Sequence, residues 1–90
     1  MTKHEAQVAH ASSTLLMVAV KSNQYADRYP DKAAKAAESA EFYAAWLNAN
    51  GRKVEMETKE VNGQRRIKTV TIDGETWIRN GFIVNNPGER

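Results

Sequence analysis

Trp77 follows Arg66 and Lys68 and is itself followed by Arg79. An indole offers a stacking face for a base, and nearby guanidinium and ammonium groups contact phosphates. This is the chemistry by which single-stranded nucleic acids are held. The run Gln64-Arg65-Arg66-Ile67-Lys68 puts cations just past a turn, as in a basic hairpin that lies over a phosphate backbone. Arg65, Arg66, Lys68, Arg79 and Trp77 therefore form one candidate surface. The same residues also fit a solvated sheet face with one packed indole, since Arg65 can pair with Glu60 and Lys68 with Glu57. A second constellation is Phe42 with Trp46, one helical turn apart. They are either the aromatic heart of a helix–sheet core or anchors for a protein partner, where aromatic residues are enriched. Tyr25 and Tyr29, also one turn apart, would join such a patch, as would Trp77.

Other chemistries lack their residues. His4 and His10 are six positions apart rather than the four that share a helix face, and no third histidine exists. Ser12, Ser13 and Thr14 have no base nearby in sequence. Glu38 with Glu41, and Glu55 with Glu57, are paired carboxylates without an apolar pocket to move their pKa values. Cysteine is absent, which removes disulfides, thiol nucleophiles and thiolate metal sites. No glycine-rich phosphate loop precedes a helix. The expectation is a non-enzymatic protein with no cofactor and no metal.

Ninety residues provide for one domain and one core. Bulky apolar residues are scarce and alanine is plentiful, so association into a homodimer is expected to supplement a small core. The formal charge is +2, short of a dedicated nucleic-acid binder. Residues 1–50 carry five basic and five acidic side chains, and residues 51–90 carry eight and six, so the excess lies in the second half. The longest apolar run, Leu15–Val20, is too short to span a bilayer. With no signal pattern at the start, the expectation is a soluble cytoplasmic protein without membrane partners.

The elements that must position these residues follow from periodicity and turn chemistry. Val8, Ala11, Leu15, Val18, Ala19, Ser22, Tyr25 and Ala26 recur every three or four residues and predict a helix from about Lys3 to Arg28. Pro30 ends it and starts a second helix, which runs to about Ala49 before Gly51. Ala33, Ala36, Ala37, Ala40, Tyr43, Ala44 and Leu47 form a seam of small residues that lets the first helix approach closely. Phe42 and Trp46 point away from that seam. Asn62-Gly63, Asp73-Gly74 and Asn80-Gly81 then favour tight hairpins, because both central residues of a type I′ turn need positive φ. They predict strands at about 53–61, 64–72 and 75–79, with Phe82–Val84 either a short fourth strand or a flap over Trp77.

Strict two-residue alternation counted from those turns sorts the sheet into two faces. Val54, Met56, Thr58, Ile67, Thr69, Thr71, Thr76 and Ile78 face the helices. Lys53, Glu55, Glu57, Lys59, Arg66, Lys68, Val70, Ile72, Trp77 and Arg79 face outward. On this count Glu57, Lys68 and Arg79 form a row, and Lys59 sits beside Arg66 at a small like-charge cost that an anion would relieve.

The expected fold is α+β: an antiparallel two-helix hairpin followed by and packed on a three-stranded antiparallel β-meander, with the fourth strand optional. It is a single domain over residues 1–90, comprising a helical half at about 3–50, a meander at about 52–84 and a frayed tail at 85–90. In size and in its missing motifs the chain is similar to small accessory proteins of phages and mobile elements, which often bind and inhibit a host component. That resemblance implies a regulatory protein acting by protein–protein contact. The reading of the aromatic residues sets its anchors at Phe42, Trp46 or Trp77, with Tyr25 and Tyr29 nearby. The alternative is the nucleic-acid surface above.

Overall fold

The computed structural model describes residues 2–61 and 63–84, the side chains of Gln64 and Arg65 excepted. Asn62 of the first expected turn and the expected tail at 85–90 lie outside the described residues. Helix α1 spans Lys3–Tyr25. Thr2 caps it, its Oγ1 accepting the Glu5 N–H at 3.1 Å, and Glu5 places a negative charge in the first turn. The helix stops three residues short of the expected Arg28. Residues 26–28 form a turn instead, closed by the Tyr29 N–H donating to the Tyr25 carbonyl at 2.7 Å. Helix α2, Pro30–Ala49, starts on the proline, whose missing N–H would have had no partner in the first turn. It ends where Gly51 takes φ 92°, which lets the Arg52 N–H reach back to the Leu47 carbonyl at 3.0 Å.

The helices pack through small side chains. Ala33, Ala37, Ala40, Ala44 and Leu47 of α2 are buried, as are Val8, Ala11, Leu15, Leu16, Ala19 and Ser22 of α1. The buried Ser22 hydroxyl donates to the Ala33 carbonyl at 3.1 Å, so the hairpin is tied by a hydrogen bond as well as by close approach.

Four antiparallel strands follow in the order β1-β2-β3-β4: β1 Val54–Val61, β2 Gln64–Ile72, β3 Glu75–Arg79 and β4 Phe82–Ile83. Asp73 and Gly74 (φ 53° and 82°), and Asn80 and Gly81 (φ 53° and 85°), make both described turns of the type that suits strand twist. The optional fourth strand is therefore formed. The fold is the expected α+β arrangement, with both helices against one side of the sheet.

The faces differ from strict alternation, and two β-bulges are the reason. Thr58 pairs with Ile67 but Glu57 pairs with Thr69, which leaves Lys68 as an extra residue. Thr71 pairs with Thr76 but Val70 pairs with Ile78, which leaves Trp77 as an extra residue. Each bulge shifts the phase of one strand by one position. Ile67, Val70 and Ile72, at spacings three and two, consequently all reach the helices and are buried with Val54 and Ile78. Val70 and Ile72, expected on the outer face, belong to the core. Thr69 and Thr71, expected inside, pair with Glu57 and Glu55.

Two asparagines finish the helix–sheet contact. Asn23 of α1 accepts the Ile67 N–H at 3.0 Å and donates to the Ile67 carbonyl at 2.8 Å. Asn48 of α2 does the same to Val54, at 2.9 and 3.2 Å. A carboxamide carries one acceptor and a donor group, so it can substitute for a neighbouring strand at a single residue. Asp73 supplies a third tie. Its carboxylate accepts from the Lys53 N–H at 2.9 Å and pairs with Arg52 at 2.8 Å, fastening the β2–β3 turn to the α2–β1 connection.

The Lys53 N–H, and then the Arg52 guanidinium, hold the Asp73 carboxyl below its ordinary 3.8. A lowered folded value stabilises the charged, folded form, so this contribution is complete above the ordinary value and disappears as pH falls through the folded one. The melting temperature of wild type is expected to exceed that of Asp73→Asn at pH 6, with the gap closing below the ordinary aspartate range. A gap that stays constant on acidification would contradict this assignment.

Candidate functional site

The nucleic-acid constellation is dispersed. Trp77 stands at a bulge, packs half-buried against the core, and lines a cleft with Leu16, Ser12 and Ser13 of α1. It thus faces the helices rather than the cations of the sheet's far side. Arg66 pairs with Asp27, one turn beyond Asn23 in sequence. The like-charge neighbour Lys59 is opposite, as expected, and the anion that relieves the pair is the chain's own carboxylate. Lys68 pairs with Glu57 at 3.5 Å, although the bulge moves Glu57 opposite Thr69, so the expected row through Arg79 is broken. Arg79 is exposed beside Phe82. Arg65 pairs through its backbone with Glu60, and its side chain lies outside the described ones.

The aromatic constellation divides. Trp46 is half-buried against the core, whereas Phe42 is 64% exposed. The two rims of a groove of about 440 Å³ come from α1 (Lys3, Gln7, His10) and from α2 (Phe42, Tyr43, Trp46). The Phe42 and Tyr43 rings meet edge to face, 5.5 Å between centroids and 84° between planes. That contact restricts the Phe42 ring before any partner arrives. Tyr25 and Tyr29 also meet edge to face, at 6.0 Å and 86°, and Lys32 Nζ lies 5.0 Å from the Tyr29 ring centroid. Tyr29 and Phe42 mark opposite regions of α2, thirteen positions apart. At the rise of an α-helix that is roughly 20 Å, so the tyrosines do not join the Phe42 patch.

A second apolar surface lies on β4. Phe82 is 75% exposed, and Ile83 and Val84 are each 51% exposed. They leave Trp77 to α1 and form the sheet's outer edge instead. Sequence reasoning named this segment but not its role. The absence of any charge from Phe82 to Val84 is the signal that marks it, because exposed edge strands ordinarily carry charges.

Among the described residues no group of three or more His, Asp or Glu side chains is placed to hold a metal ion. No helix among them is long and apolar enough to cross a membrane. No family model, curated protein or solved structure matches this chain.

Proposed function

We propose that this chain is a small non-enzymatic binding protein that acts through protein–protein contacts, with Phe42 as the principal anchor. The observation that carries the reading is an exposed aromatic ring at the rim of an apolar groove, backed by Tyr43 and Trp46 and bordered by the polar Lys3, Gln7 and His10. Interface hot spots have this composition: an aromatic anchor that fills or flanks a pocket, with polar groups that exclude water around it. Trp46 supports the same rim, half-buried against the core. Tyr25 and Tyr29 would offer a separate contact at the helix connection, and Trp77 contributes by packing. A regulatory role toward a host component, as in the small accessory proteins the chain resembles, is the reading we attach to this surface.

The nucleic-acid reading is less favoured because Arg66 and Lys68 already have carboxylate partners and Trp77 lies away from them. Replacing Phe42 by a photo-crosslinking phenylalanine analogue in native lysate is expected to label protein in preference to nucleic acid. Labelling that is abolished by nuclease treatment would reverse the ranking.

A further inference from the structure

We infer that β4 is the self-association edge of this protein and that its occupant is β4 of a second copy, joined antiparallel about a two-fold axis at Ile83. Hydrogen-bond alternation along β4 decides which main-chain groups are free. Arg79 pairs with Phe82 across the two-residue turn, and the Val84 N–H donates to the Trp77 carbonyl at 2.9 Å. Phe82 and Val84 therefore direct their main-chain groups inward, and the N–H and C=O of Ile83 point out of the sheet. A segment of three residues with its free groups on the middle one is self-complementary. Two Ile83 residues exchange both bonds, and each Phe82 lies opposite the other copy's Val84.

Charge selects this edge and this partner. The opposite edge, β1, carries exposed Glu55, Glu57, Lys59 and Glu60, the kind of residues that keep edges apart. Phe82–Val84 carries no charge, so a copy meets no like-charge penalty there. Side-chain placement agrees. Ile83 shares the helix-side face with the buried Ile78, so a facing copy extends the existing core row.

Area is the remaining requirement. A stable interface buries roughly 600–1,000 Å² per partner, more than three residues provide. Helix α1 runs beside this edge: Ser13 lines the cleft with Trp77, and Asn23 Nδ2 is 3.2 Å from where a Gly81 Cβ would lie. Between them Met17, 51% exposed, and the half-buried Val20 lie within roughly 60° of Ser13 around the helix. They add an apolar flank that a two-fold partner brings against its counterpart.

The test is the mass of the full chain in solution across a concentration series. Wild type is expected to sediment as a dimer at micromolar concentration. Ile83→Lys sets two ammonium groups side by side and is expected to weaken association at least ~100-fold. Ile83→Pro removes the outward N–H without adding a charge and is expected to act in the same direction, while Phe42→Lys leaves the dimer intact. Circular dichroism identifies any variant that fails to fold, and either Ile83 variant suffices. A wild type that stays monomeric, or a dimer that survives unweakened in a folded Ile83 variant, would overturn the inference. Neither result removes the Phe42 reading, which is measured on a different partner.

Discussion

Val70→Lys is expected to leave the chain largely unfolded at 25 °C. Val70 is fully buried among Ile67, Ile72 and Ile78. Lysine there must either carry a charge into the core or lose its proton, and it also discards apolar contacts worth about 2 kcal/mol. Buried unpaired charges belong to the few mechanisms that cost more than 4 kcal/mol, a large share of what a small domain has. Thr69→Lys, one residue earlier and opposite Glu57, is expected to change stability by no more than about 0.5 kcal/mol. Urea unfolding of both variants reads the sheet's faces directly. Strict alternation from the turns makes the opposite forecast, with lysine tolerated at 70 and harmful at 69. A folded Val70→Lys with a wild-type urea midpoint would mean that the bulge at Lys68 does not exist.

Asn23→Ala is expected to cost about 2–4 kcal/mol. Its amide is partner to both main-chain groups of Ile67, on the side of β2 that β3 does not reach. Alanine leaves a donor and an acceptor unpaired in a partly buried corner, and each lost partner costs about 1–3 kcal/mol. The loss should be local as well as global. Amide exchange at Ile67 is expected to accelerate more than at Val70, whose pairing partners on both sides are intact. Gln24→Ala, on the next, exposed position, serves as the control. If Ile67 exchange is unchanged in Asn23→Ala, the carboxamide is not what closes that edge.

These two residues also mark where the sequence was readable and where it was not. The limits of α2, the start of α1, both described turns and the strand spans follow from local chemistry: Pro30, Gly51 and the Asp-Gly and Asn-Gly pairs act on their own neighbours, whereas α1 ends three residues before the expected Arg28. The bulges do not. Nothing local at Lys68 or Trp77 demands an extra residue. The demand comes from the helices, which need Ile67, Val70 and Ile72 on one face. The odd spacing of those three aliphatics was the available sign, and strict alternation passed over it by splitting them. That choice then carried Trp77 to the wrong face and produced a nucleic-acid platform. Asn23 was hidden for a similar reason, since an asparagine inside a helix reads as solvent-facing until its partner, 44 residues away, is known.

The aromatic pair shows the same limit within a single helix. Phe42 and Trp46 lie one turn apart and point away from the alanine seam, so periodicity assigns them one environment. The core reaches Trp46 and stops before Phe42. The boundary of a small core depends on how the helices lie over the sheet, which periodicity does not contain. What the sequence did convey was that these rings exceed the needs of the seam, and one of them, Phe42, is left exposed.

The affinity of the partner captured through position 42, measured for wild type and for Phe42→Ala, tests the central claim most directly. Truncating an exposed ring is expected to leave the melting temperature within about 2 °C of wild type, because little folded contact is lost. The partner's Kd is expected to rise at least ~10-fold, as for an interface hot spot. A partner that binds Phe42→Ala as tightly as wild type would contradict the account.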